Sequence, residues 1–312
     1  MNLLIFNPSA EDYKKVLESK FPELTIHSAF KEEEIGDFIQ KAEILITSRI
    51  SDVLIKKALK LKWIQATTTG VDYLTNLPSL RKEVLLTSTR GIHGPQMSEM
   101  AFLLMLALSR NFSQVIRNHD QKIWDRWPGK LLYQKKVGIV GLGAIGKEIA
   151  KKCKAFGMVV YGIATKEREV EGVDYSFGDE NLAQVLKEVD YLILVVPNTP
   201  RTRKMIGAKE LSLMKPTAYL INIARGEIID EEALVDALKT GKIAGAALDV
   251  FNTEPLPADH PFWELENMIL TPHLGGMSEN YVIQVLSIFE ENLRRFLRGE
   301  RDNLINRVER KD

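Results

Sequence analysis

The chain has 312 residues, with 42 Lys and Arg balanced by 42 Asp and Glu, and a single cysteine. A net charge of zero excludes the overall positive field that draws proteins to nucleic acid or anionic membrane, so any anionic partner has to be bound locally. The length suits roughly two domains, and the lone Cys153 permits neither an intrachain disulfide nor a multi-cysteine metal site, which points to a reducing, cytoplasmic setting.

In chain order, the apolar run 1–6 is broken by Asn7-Pro8 and has no basic region before it, so it reads as a buried strand and not an export signal. Apolar or β-branched runs at 3–6, 24–27, 43–47 and 63–66 alternate with charged helical stretches such as 11–20. Such alternation predicts a parallel sheet covered by helices. From Gly94 to about Gln121 the pattern predicts one long connector helix, apolar nearly all round in its first half. Its uninterrupted apolar run, 100–108, is well short of the ~18 residues of a membrane span. A second α/β run follows, with strands expected at 137–140, 159–163, 191–196, 218–221, 244–248 and 268–270, then a helix over 278–297 and a polar tail that packs back on the first domain. Six such strands suit a doubly wound dinucleotide-binding sheet. The expected fold is therefore α/β, with two doubly wound parallel-sheet domains, the second a Rossmann domain, and a cleft between them. Boundaries are expected at 1–98 with 284–312, and at 99–283.

The cofactor motif is Val137-Gly-Ile-Val-Gly-Leu-Gly-Ala-Ile-Gly146, which sets Gly141, Gly143 and Gly146 in the G-x-G-x-x-G order between a strand and a helix. The first glycine permits the tight turn, the second lets a pyrophosphate approach the backbone, and the third lets helix and strand pack closely. Ala144 and Ile145 complete the turn, and the phosphates would lie on the helix N-terminus. NAD-type sites also want an acidic residue about 20 residues on, at the end of the second strand. Here that position is near Ala164, followed by Thr165, Lys166, Glu167 and Arg168. Those cations either form a solvated turn or meet a 2′-phosphate; the second reading predicts NADP as the preferred cofactor, with NAD possible.

Three segments carry polar residues just after predicted strands, where ligands bind in open α/β sheets. They are Ile221-Asn-Ile-Ala-Arg-Gly226, Gly245-Ala-Ala-Leu-Asp-Val-Phe-Asn-Thr-Glu-Pro-Leu256 and Leu270-Thr-Pro-His-Leu-Gly-Gly276. Together with Thr68-Thr-Gly-Val-Asp72, Ser98-Glu99, the glycine motif and Val196-Pro-Asn-Thr-Pro200, they give a chain that resembles, over almost its whole length, the D-isomer-specific 2-hydroxyacid dehydrogenases. That family includes glyoxylate/hydroxypyruvate reductases and phosphoglycerate dehydrogenases.

The resemblance implies hydride transfer between NAD(P)H and a small 2-oxo or D-2-hydroxy acid. Arg225 would hold the substrate carboxylate and polarise the 2-oxo group, His273 would be the general acid, and Glu254 would orient its imidazole. Asp249 would contact the nicotinamide amide, and Pro197, Asn198, Thr202 and Ala224 would line the cofactor. The first domain would bind substrate through backbone N–H groups at Gly70 and Val71. Arg49 is either a solvated cation or an extension of the site toward a phosphorylated substrate, the latter making D-3-phosphoglycerate dehydrogenase the alternative activity. A dinucleotide-sensing corepressor-like scaffold is the alternative of a different class. No metal is expected, since no His or Cys cluster has ligand spacing. The segment 120–129, with Trp124 and Trp127, is either core or an arm reaching a second subunit; a homodimer is the expectation.

Overall fold

The structure, a computed structural model, describes residues 1–310. It divides into two compact units, one formed by Met1–Ile92 with the chain from Ser278 onward, the other by His93–Met277. These divisions fall six residues before the boundaries expected from sequence.

The first unit starts with β1 (Asn2–Phe6), α1 (Ala10–Lys20), β2 (Thr25–Ala29), the single turn α2 (Glu32–Ile35), β3 (Ile44–Thr47), α3 (Asp52–Lys57), β4 (Trp63–Ala66), the single turn α4 (Asp72–Thr75) and β5 (Leu85–Thr87). Its five strands are all parallel, in the order β2-β1-β3-β4-β5. Strands β3 and β4 are buried on both faces, which is why they read as continuous apolar runs. The three-residue β5, Leu85-Leu86-Thr87, adds an edge strand beyond the four expected from sequence.

The second unit opens with α5 (Gly94–Arg110), which has Pro at its first turn, and α6 (Phe112–Gln121). The single long helix expected here is in fact broken. Asn111 takes a left-handed conformation (φ 52°) that caps α5, with its N–H bonded back to Ala107 and Leu108. Asparagine tolerates that region because its short polar side chain bonds locally.

Beyond the break run β6 (Lys136–Val140), α7 (Ala144–Ala155), β7 (Val159–Ala164), β8 (Tyr175–Gly178), α8 (Leu182–Glu188), β9 (Tyr191–Leu194), α9 (Ala208–Leu213), β10 (Tyr219–Asn222), α10 (Glu231–Lys239), β11 (Gly245–Leu248) and β12 (Met268–Leu270). The seven strands are parallel in the order β12-β11-β10-β9-β6-β7-β8. The six expected strands are all present, and β8 is an added edge strand, exposed at Tyr175 and buried only at Gly178. Strand order reverses at β6, between β9 and β7. That switch point is where an α/β sheet opens a crevice at its strand C-termini.

The chain then returns to the first unit as α11 (Tyr281–Leu297). Phe289 and Phe296 of α11 stack on the fully buried Trp63 of β4 at centroid distances of 5.2 and 5.3 Å. Each such pair adds roughly 0.5–1.5 kcal/mol beyond its buried area. The Trp63 indole N–H is satisfied by Thr87 Oγ1 at 2.8 Å. The tail is tied down as well: Val308 N–H donates to Leu86 O, and the Arg310 guanidinium donates to the carbonyls of Leu80, Arg81, Lys82 and Val84.

Candidate active site and cofactor turn

The glycine turn sits at the C-terminal end of β6. Gly141 has φ 109°, a region that side chains rarely adopt, and a Cβ there would fall 2.7 Å from Val195 O. Gly146 is buried so closely against the strand that a Cβ would lie 1.9 Å from Gly141 O. Gly143 differs, because a Cβ there meets nothing within 4 Å. It is the N-cap of α7 and brings no side-chain acceptor, leaving the first-turn N–H groups to an anion. A tight turn, an open approach and a helix start in that order fit the pyrophosphate of a dinucleotide.

On the neighbouring strand, β7 ends at Ala164 with no carboxylate. Thr165, Lys166 and Arg168 follow, all exposed. Arg168 folds back over the turn, one Nη donating to Leu142 O at 2.9 Å. On the other side of β6, the loop after β9 is braced by hydroxyls: Thr202 Oγ1 donates to Pro197 O at 2.6 Å and accepts from Thr199 N–H at 2.9 Å. Pro197 is exposed, and Asn198 is half-buried beside it.

The polar segments occupy the ends of three adjacent strands, β10, β11 and β12. After β10, Asn222 is fully buried; its side chain accepts from Ala224 N–H at 3.0 Å and donates to Arg225 O at 2.8 Å. That clamp fixes the backbone of Arg225, whose half-buried guanidinium donates to Ala224 O at 2.6 Å. Gly226 then packs so tightly that a Cβ would lie 2.0 Å from the Phe251 carbonyl carbon, drawing the Arg225 turn against the loop after β11.

In that loop Glu254 divides its carboxylate. Oε1 accepts from Phe251 N–H at 3.0 Å, and Oε2 meets His273 Nδ1 at 2.7 Å. The imidazole side chain is 49% exposed. With Nδ1 committed to Glu254, Nε2 is the nitrogen left to act. His273 itself has φ 54°, unusual for a residue with a side chain.

Asp249 is 1% exposed, and both of its carboxylate oxygens accept from the 271–275 turn. Asn222 and Thr271 have structural roles that sequence reading did not assign; an Asn closing an apolar strand just before a turn was the available signal. In the first unit, Arg49 is exposed with its guanidinium over the Tyr73 ring at 4.7 Å, and Gly70 and Val71 lie half-buried between β4 and α4. Trp124, in the segment read as core or arm, is 93% exposed, whereas Trp127 is half-buried with its indole N–H on Arg110 O. Among the described residues no group of three or more His, Cys, Asp or Glu is arranged to hold a metal ion, and no helix is long and apolar enough to cross a membrane.

Residues 102–275 match the model of the D-isomer specific 2-hydroxyacid dehydrogenase NAD-binding domain. A D-3-phosphoglycerate dehydrogenase from Methanocaldococcus jannaschii is 36% identical over 98% of this chain, which spans only 59% of that relative's length. A glyoxylate reductase from Thermococcus litoralis is also 36% identical, over 84% of this chain and 82% of its own. Among solved structures, a D-isomer specific 2-hydroxyacid dehydrogenase family protein from Aeromonas salmonicida superposes with a TM-score of 0.91 at 35% identity, covering 99% of each chain. The NADPH-dependent glyoxylate/hydroxypyruvate reductase of Sinorhizobium meliloti, solved with NADP and sulfate, gives 0.85 at 25% identity over 99% of this chain and 98% of that one. With a family model matched over residues 102–275 and a likeness to the Aeromonas salmonicida structure that covers 99% of each chain, this protein belongs to the D-isomer specific 2-hydroxyacid dehydrogenase family.

Proposed function

We propose that the protein is an NADPH-preferring D-2-hydroxyacid dehydrogenase that reduces small 2-oxo acids such as glyoxylate and hydroxypyruvate. The observation that carries this reading is the 2.7 Å pairing of His273 Nδ1 with Glu254, with Arg225 on the adjacent strand end. Bound nicotinamide supplies the hydride to C2 of the substrate. Arg225 holds the carboxylate in its planar fork and draws electron density toward the 2-oxo oxygen. His273 gives the proton on Nε2 to that oxygen and takes it back in the reverse direction, while Glu254 keeps the ring oriented. Gly141, Gly143, Ala144, Ile145 and Gly146 hold the pyrophosphate; Pro197, Asn198, Thr202 and Ala224 flank the cofactor.

NADPH preference rests on Ala164 standing where a carboxylate would repel a 2′-phosphate, and on Thr165, Lys166 and Arg168 beside it. Arg168 spends one donor on Leu142 O, which holds the remaining donors of its fork beside the turn. The first unit is the substrate-binding domain in this reading, with Gly70 and Val71 supplying backbone donors. A second reading, 3-phosphohydroxypyruvate as substrate, is favoured by one observation: the Tyr73 ring steadies the Arg49 guanidinium as a cation suited to a phosphate ester. Exposed Phe112, Val115 and Ile116 on α6, continued by Ile123 and Trp124, support a homodimer, testable by light scattering. A single cysteine suits the cytoplasm.

The experiment is a panel of glyoxylate, hydroxypyruvate and 3-phosphohydroxypyruvate assayed with NADPH and NADH. Turnover of the first two with NADPH is expected. NADPH binding without turnover of any substrate would overturn the enzyme reading in favour of a dinucleotide-sensing scaffold.

A further inference from the structure

The loop that follows β4 has to hold residues 67–71 in place after the ladder of the sheet ends. Thr67, 1% exposed, donates its N–H to Thr47 O at 3.0 Å, which carries the pairing one residue past the strand. Its carbonyl takes a partner from the far end of the chain: Tyr281, the first residue of α11, donates its phenolic O–H to Thr67 O at 2.5 Å across 214 residues of sequence. Further along the loop, Thr68 O accepts from Thr89 N–H at 3.1 Å, and Thr68 Oγ1 donates to Gly70 O at 2.7 Å. The Tyr281 ring is itself held, half-buried against the core cluster that contains Tyr13, Trp63 and Phe289. Burial pushes its phenol up to about 12, so the group is a donor at neutral pH and well above it. A short O–H···O bond from a packed ring to a main-chain carbonyl fixes the point where the loop departs. The hydroxyl of Tyr13, fully buried in the same cluster, has no hydrogen-bond partner.

We propose that Tyr281 is a positioning residue for substrate: its hydroxyl tethers the 67–71 loop to α11, so that the backbone N–H groups of Gly70 and Val71 are held where a carboxylate can meet both. The inference rests on the reading of Gly70 and Val71 as the carboxylate donors. A main-chain donor cannot be re-aimed by a change of rotamer, so its aim is only as good as the anchorage of its loop. Phenylalanine at 281 keeps the ring and its packing and removes only the O–H, leaving the buried Thr67 carbonyl short of a donor. The loop shifts to satisfy that carbonyl, and Gly70 and Val71 shift with it. Carboxylate binding weakens, while the glycine turn, which belongs to the other unit, is untouched.

The test compares wild type, Tyr281→Phe and Tyr13→Phe for reduction of glyoxylate with NADPH, for inhibition by oxalate, and for amide hydrogen exchange across 67–71, with thermal melts to verify folding. Tyr281→Phe is expected to raise the glyoxylate KM and the oxalate Ki by about 3- to 10-fold, with kcat and the NADPH Kd within about twofold of wild type, because the loss is one of ground-state binding. Its exchange across 67–71 without ligand should quicken roughly fivefold or more, while β1 and β3 keep their wild-type protection. Tyr13→Phe removes a hydroxyl from the same core without touching the loop, and should match wild type in all three measurements. An unchanged KM or unchanged exchange across 67–71 in Tyr281→Phe would overturn the proposal. So would a loss shared by Tyr13→Phe, or exchange that quickens throughout the first unit, since either marks a general loosening of the core. In wild type with NADPH bound, oxalate should slow exchange at 67–71; if it does not, the reading of Gly70 and Val71 fails, an outcome separate from failure of the tether.

Discussion

Two glycines of one motif, three residues apart, should respond to the same methyl group in opposite ways. At Gly143 the backbone is extended (φ −78°, ψ −163°) and a Cβ meets nothing within 4 Å. Alanine fits there, and by narrowing the unfolded ensemble it should stabilise the apoprotein by ~0.4–1 kcal/mol. For a unit of this size that raises Tm by ~1–4 °C. The open space is also the approach a pyrophosphate needs. Loss of one charge-assisted hydrogen bond, ~1.5–3 kcal/mol, would raise the NADPH Kd by ~10- to 100-fold. At Gly146 the methyl would lie 1.9 Å from Gly141 O and 3.0 Å from its carbonyl carbon, and backbone atoms cannot swing aside as a flexible side chain can. Overpacking of that kind costs ~1–3 kcal/mol or more, so Gly146→Ala should melt several degrees lower even without cofactor. Differential scanning calorimetry of the apoproteins and fluorescence titration with NADPH measure the two effects separately. A Gly143→Ala protein that melts below wild type, or that binds NADPH as tightly as wild type, would refute the reasoning.

On the proposed role of His273 as proton donor to the substrate oxygen, His273→Gln should lower kcat by ~100-fold or more with NADPH affinity nearly unchanged; stopped-flow reduction of glyoxylate at saturating NADPH measures it. Arg225→Ala should damage kcat and KM together, and a pure KM effect in the same assay would reduce Arg225 to a binding residue. The double variant Lys166→Ala with Arg168→Ala should cut the ratio of kcat/KM for NADPH over NADH by ~10- to 100-fold; an unchanged ratio would locate the phosphate contacts elsewhere. Cys153 is fully buried, and burial pushes its thiol up to about 12, so the native protein should resist a thiolate-specific reagent at neutral pH and react only at the rate at which it unfolds. Rapid labelling of the folded protein would contradict this.

The site was legible where a residue type is tied to one kind of chemistry. Three glycines in a fixed order after an apolar strand stand out in the sequence itself, and the family resemblance singles out an Arg, a Glu and a His after three successive strands, of which the structure brings Glu254 and His273 into contact. What escaped was set by partners that no local pattern reveals. The break between α5 and α6 depends on Asn111 entering a left-handed turn, with neither Gly nor Pro to announce it. Strand β8 lies at a sheet edge, and its exposed and half-buried residues give no apolar run. Asp249 could be read as a carboxylate at a strand end, but which donors would fill its oxygens depended on a turn 22 residues further along the chain.

The return of α11 to the first unit imposes an order on synthesis. Trp63 cannot be covered until Phe289 and Phe296 exist, so the first 92 residues emerge from the ribosome with a core they cannot finish, while residues 93–277 form one continuous compact unit. Joining Trp63 to α11 through a slack segment as long as 93–277 would cost ~4–5 kcal/mol of loop-closure entropy. The folded second unit removes most of that cost. Its two ends meet within it: Gln96 Nε2 donates to Gly276 O, and a Cβ on Gly276 would lie 3.5 Å from the His93 ring. The later-made domain is therefore the staple that closes the earlier one, and a nascent chain stalled before α11 should expose the first unit's half-built core to chaperones and proteases.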